Sequence, residues 1–152
     1  MALKAGRNQQ DFVYGFFSAT VMERGGVVSV VTTGSGESLD DSTAVAGYAA
    51  DPSGGTALGF LMGDTANDDL TRVHENWYKQ VTQVGVPVTI CNRGWVVTDM
   101  IHPEVTVSAP QTAYVGVSGL LTNVNNGGNI AVGTFLSNAD EDGYAKVSIN
   151  LP

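Results

Sequence analysis

The stretch Val86-Pro-Val-Thr-Ile-Cys-Asn-Arg-Gly-Trp-Val-Val-Thr98 decides the fold class. Val86, Val88 and Ile90 alternate with Pro87, Thr89 and Cys91, the period of two that a half-buried strand shows. Asn92-Arg93-Gly94 supplies turn residues, and Trp95-Val-Val-Thr98 is again β-branched and aromatic, so the stretch predicts a hairpin reversing at 92–94.

The same punctuation recurs outward in both directions. The chain has 19 glycines, spaced so that they interrupt helices and bound runs of Val, Ile, Thr and aromatic residues. Further strands are expected at Val27–Thr33, Ala44–Ala49, Ala57–Met62, Trp95–Ile101, Ala113–Leu121, Ile130–Leu136 and Tyr144–Leu151. The last two predict a second hairpin, in which Ala145, Val147, Ile149 and Leu151 face a core while Lys146, Ser148 and Asn150 face solvent. Only Asp64–Gln80 has helical spacing, through Leu70, Val73 and Trp77, and it predicts at most one short helix. Gly34–Ser42 reads as a polar loop and Asp51-Pro-Ser-Gly-Gly55 as a tight turn.

At 152 residues the chain supports one domain with a real core. Charged residues are 14% against 43% hydrophobic, where about 25% charged is usual, so much of the surface is either neutral or covered in an assembly. Seven basic and 15 acidic residues give a net charge of −8, and the cations are scattered singly, which argues against nucleic acid and anionic membranes as partners. No run approaches the roughly 18 apolar residues of a membrane span, and the start MALKAGRNQQ has no secretory pattern, so synthesis in the cytoplasm is expected.

The N-terminal stretch divides from the rest. Phe12, Tyr14 and Phe16 alternate with Val13, Gly15 and Phe17, so an extended chain would present three rings on one side. Either this is the first strand of the core, or it is an arm whose rings are buried on a neighbouring subunit. The expected organisation is an arm over 1–17 and a β domain over 18–152, with Lys4, Arg7, Phe12, Tyr14, Phe16 and Phe17 as candidate contacts to other subunits.

Chemistry-bearing patterns are incomplete. His74-Glu75 begins the H-E-x-x-H zinc signature, but Tyr78 stands where the second ligand belongs. Asn138-Ala-Asp-Glu-Asp-Gly143 matches the first half of a calcium loop, yet Ile149 occupies the position of the bidentate carboxylate, so an Asp-rich hairpin turn is the expected reading. Cys91, the single cysteine, lies in an apolar run and reads as core. No nucleophile elbow or phosphate loop is present, and no catalytic, metal or cofactor residues are expected.

From Gly25 to Pro152 the order of segments resembles the capsid decoration, or cement, proteins of tailed bacteriophages, including those of cyanobacterial phages. The resemblance rests on Ser53-Gly-Gly, Leu58-Gly-Phe-Leu-Met62, Asp69–Trp77, Val84-Gly-Val-Pro-Val88, Arg93–Thr98, Ala113-Tyr-Val-Gly116 and the ending Val132–Ser137 through Asp140–Gly143 to Val147-Ser-Ile149. It implies a single-domain β-barrel or β-sandwich, homo-oligomeric as a trimer or a dimer. It also implies a virion location on the outer surface of the capsid, bound to the major capsid protein with no enzymatic activity. The competing expectation is a head-fibre, spike or tail accessory subunit that binds host polysaccharide through exposed Trp77, Tyr78 or Trp95. A small metal-dependent enzyme using Asn138, Asp140, Asp142, His74 and His102 is the third.

Overall fold

The computed structural model describes residues 9–32, 44–49, 56–64 and 81–151. Within them the chain is mainly β, with nine strands: β1 (Gln9–Ser18), β2 (Val27–Thr32), β3 (Ala44–Tyr48), β4 (Ala57–Asp64), β5 (Pro87–Thr98), β6 (Gln111–Val115), β7 (Leu121–Thr122), β8 (Ala131–Phe135) and β9 (Ala145–Asn150). Among the described residues a single 3-10 turn, Val117–Gly119, lies between β6 and β7.

Five strands close on themselves in the order β1-β3-β2-β4-β5, and β5 pairs back to β1, forming a closed barrel. The β1–β3 pairing is parallel and the other four are antiparallel. The sheet then continues from β5 through β9, β8, β6 and β7. This second array curls until it meets the chain just past β5. Leu121 bridges Ile101, its amide donates to the Met100 carbonyl at 2.9 Å, and the His102 amide donates to the Leu121 carbonyl at 2.8 Å. The two arrays therefore share one strand.

That shared strand corrects the hairpin expected at 92–94, because residues 87–98 form one continuous strand of 12 residues. The turn-forming residues mark a change of partner instead of a reversal. Up to Cys91 the edge pairs with β4, and from Arg93 it pairs with β9. Asn92 is skipped in the β1 register, between Cys91 opposite Phe12 and Arg93 opposite Asp11, which is the extra residue of a β-bulge. Gly94 follows at φ 127°, a backbone state that L side chains rarely adopt. Asn-Arg-Gly thus bends a strand around a corner, and no local signal separates that from a two-strand reversal.

The two arrays explain why β2, β4 and β5 are apolar on consecutive residues. Val28, Leu61, Val88 and Ile90 point into the barrel with Met22 and Ala46. Their neighbours Val27, Phe60 and Cys91 point the other way, into a larger cluster with Val96, Val115, Leu121, Phe135, Val147 and Ile149. Strands buried on both faces read as unbroken hydrophobic runs rather than as alternation. Cys91 is fully buried there, in line with its reading as core.

Part of the expected arm lies among the described residues. From Gln9 onward it is strand β1, hydrogen-bonded to β5 along Gln9–Phe17 and to β3 at Phe16–Ser18. The register against β5 shifts between Val13 and Phe16. Phe16 is half-buried against the barrel's own core.

Candidate functional site

The tempting acidic string is a hairpin turn. Between β8 and β9 the Asp140 amide donates to the Tyr144 carbonyl at 2.8 Å and the Gly143 amide to the Asp140 carbonyl at 3.0 Å. The Asp140 Oδ1 accepts the amides of Asp142 at 3.1 Å and Tyr144 at 2.8 Å. Asn138 Oδ1 accepts the Ala109 amide at 3.2 Å, tying the turn to the loop before β6. Ile149, at the calcium-loop ligand position, is a buried core residue of β9. Replacing Asp140 by Ala removes an acceptor from two backbone amides, so Asp140→Ala is expected to cost about 1–2 kcal/mol in urea denaturation.

Tyr144 ends that turn almost wholly buried. Burial, then the charges of Asp99, Asp142, Asp140 and Glu23, hold its phenol above the ordinary value of 10.0. Asp99 and Tyr48 are likewise pushed up, mainly by burial. In the unfolded chain the Tyr144 phenol ionises near 10, while in the folded chain it keeps its proton to higher pH. The folded state then binds more protons above that point, and stability falls as pH rises through it. Tyr144→Phe is expected to flatten this alkaline loss, measured as unfolding free energy between about pH 9 and 11.

Three surface features are candidates for binding. The first lies at the barrel end where β1, β3 and β4 finish and β2 and β5 start. There the segments 18–23 and 81–86 run side by side, joined by Gly85 N to Ser18 O at 2.8 Å, Thr82 N to Met22 O at 2.7 Å and the Glu23–Val81 bridge. Val21 and Val84 stand on these segments 58% and 62% exposed. Exposed aliphatic side chains on two hydrogen-bonded segments at a barrel end are a candidate protein contact.

The second feature is the outer face of β5, β9 and β8. Arg93, Trp95 and Val97 of β5 stand opposite Asn150, Ser148 and Lys146 of β9, and Ser148 stands opposite Thr134 of β8. Lys146 Nζ sits 4.0 Å from the centroid of the Trp95 ring, a cross-strand diagonal cation–π contact. The third is a groove of about 510 Å³ lined by His102, Glu104, Val117, Val124, Asn126 and Asn129 among others. His102 Nδ1 accepts the Glu104 amide at 3.3 Å, which in the neutral ring leaves the proton on Nε2.

The residues singled out by sequence are not gathered into one site. Phe16 and Phe17 are half-buried in β1 beside β3 and β5, and Phe12 and Tyr14 belong to the same strand. Lys4, Arg7, the Gly34–Ser42 loop, His74, Trp77, Tyr78 and the helical spacing from 65 to 80 lie outside the described residues. His102 lies at the groove and Asp140 and Asp142 in the turn, and no three of His, Cys, Asp and Glu come together as a metal-binding group among the described residues. Sequence reading missed the exposed valines, because Val30-Val31 and Val84-Gly-Val86 look the same whether they end inside a barrel or on its rim. No protein-family model and no curated protein matches the chain.

Proposed function

We propose that this chain is a non-enzymatic capsid decoration, or cement, protein, which binds the outer surface of a phage head and stabilises contacts between major capsid proteins. The observation that carries the reading is the barrel end with Val21 and Val84, each more than half exposed on the paired segments 18–23 and 81–86 of a closed barrel. Protein contacts bury such surface, and each valine removed from water contributes about 1.5 kcal/mol. The partner is inferred only from the resemblance of the segment order to phage cement proteins. Binding repeated across a lattice adds many such contacts, so a modest area per subunit suffices to hold a capsid joint.

The host-polysaccharide reading gains less from the outer face of β5, β9 and β8. Lys146 covers one face of the Trp95 ring, and a sugar would have to stack on the other face or displace it.

Purified capsids lacking the protein are expected to take it up from solution and then to resist heating better. The double variant Val21→Asp, Val84→Asp is expected to fold, since both side chains are exposed, and to lose at least tenfold in capsid occupancy. Capsids that bind none of the wild-type protein, and that withstand heat equally without it, would end this reading.

A further inference from the structure

The outer face of β5, β9 and β8 belongs to none of the contacts proposed above, and its composition is unusual for this chain. Two of the seven basic residues, Arg93 and Lys146, stand on it with Trp95, Val97 and the 45% exposed Leu136, in a protein of net charge −8. Among the described residues neither cation has a carboxylate at ion-pair distance. Lys146 is held over the indole.

The charge on this face is ordered along the strands. Arg93 marks one end of the β5–β9 ladder, opposite Asn150. The other end is the β8–β9 turn, where Glu141 and Asp142 are exposed. From Arg93 to Val97 the ladder spans about 14 Å, and the turn adds several ångströms. Trp95, Val97 and Leu136 form the apolar middle. A two-fold axis lying in the plane of the contact and crossing the strands turns such a face end for end. It then brings Glu141 and Asp142 of each copy over Arg93 of the other, with the apolar middles in register.

We propose that this face is the contact between two copies of the chain, an isologous dimer closed by Arg93 of each copy on the Glu141–Asp142 turn of its mate. The pattern is self-complementary under one symmetry operation, which is the requirement for a two-fold interface. A patch three strands wide, at about 4.8 Å per strand, is at the small end for stable complexes, so dimerisation in the micromolar range is expected, with marked dependence on salt. The contact leaves the Val21–Val84 barrel end uncovered, so it stands independently of the capsid reading.

Sedimentation of the full chain tests it. The wild type is expected to pass from monomer to dimer between about 1 and 200 µM, and to dissociate about tenfold more readily in 0.5 M than in 0.05 M sodium chloride. Arg93→Glu, at an exposed position, is expected to weaken the dimer at least tenfold with an unchanged melting temperature. Adding Glu141→Arg and Asp142→Arg to that variant restores the attraction with its signs exchanged, and is expected to recover most of the association. A monomer throughout, an oligomer indifferent to Arg93→Glu, or a triple variant no better than the single one would overturn the proposal. So would a monomer whose Arg93 instead binds poly-glutamate, which would give the face to an acidic partner of another kind.

Discussion

Gly133→Ala is expected to lower the stability of the folded chain by at least about 3 kcal/mol, and to lower its melting temperature by about 10 °C or prevent folding altogether. A Cβ on Gly133 would stand 1.7 Å from the Ser148 carbonyl oxygen, 2.8 Å from its carbon and 3.2 Å from the Ile149 Cα. All three are backbone atoms of β9, so no side-chain rotation relieves the clash. β8 would have to draw away from β9, yet it is held by the pairs Gly133–Ile149, Thr134–Ser148 and Phe135–Val147. Nor can β9 retreat, since six residue pairs from Arg93–Asn150 to Thr98–Ala145 fix it to β5. The Gly143→Ala variant is a useful contrast, because a Cβ there meets nothing within 4 Å and only its φ of 84° resists. Thermal melts of the two variants should differ widely, and a Gly133→Ala protein within 1 kcal/mol of wild type would show that the β8–β9 approach is looser than these distances.

How far the sequence reveals this architecture depends on which strand is considered. β9 was legible because one face is wet: Ala145, Val147 and Ile149 are buried while Lys146, Ser148 and Asn150 are not. Its partner β8 and the connecting turn follow from the Asp140 hydrogen bonds, which Asp-rich turn chemistry anticipates. β6 was expected to run to Leu121 but stops at Val115, where a 3-10 turn with Ser118 at φ 53° redirects the chain into β7. Nothing in Val117-Ser-Gly119 separates a strand from that redirection except Gly119, and a lone glycine is a weak signal. The Asn92-Arg93-Gly94 corner failed for a related reason, because local turn residues report a bend without reporting its angle. Closure of the barrel was not legible at all, since β1 reaches β5 across 70 or more residues and pairing at that separation leaves no periodic trace.

The candidate surfaces were less legible than the fold. The aromatic stretch before Ser18 reads as an arm, yet Phe16 packs its ring against the barrel's own core. Aromatic alternation has the same sequence form whether the rings face a subunit's interior or a neighbour. The exposed Val21 and Val84 gave no signal because exposure is a property of where the barrel ends, and the residues that define that end are brought together from five strands.

Phe60→Ala tests whether the two arrays are one cooperative unit, and is expected to cost about 3–5 kcal/mol with a single unfolding transition. Phe60 is fully buried and is among the largest side chains in the core. It pairs with Val27 on β2 and Cys91 on β5, and its ring enters the cluster shared with Val96, Leu121, Phe135 and Val147 of the second array. Leu61, next in sequence, faces the barrel interior. Truncating Phe60 therefore opens a cavity where the arrays meet, walled by strands that hydrogen bonding holds in place, so little collapse can offset it. Phe60→Leu, which keeps most of the volume, is expected to cost less than about 2 kcal/mol. Urea denaturation followed by the far-ultraviolet signal and by tryptophan fluorescence should give coincident curves in both variants. Separation of the two probes in Phe60→Ala, with one array melting ahead of the other, would show that the shared strand β5 alone holds them together and that the common core adds little.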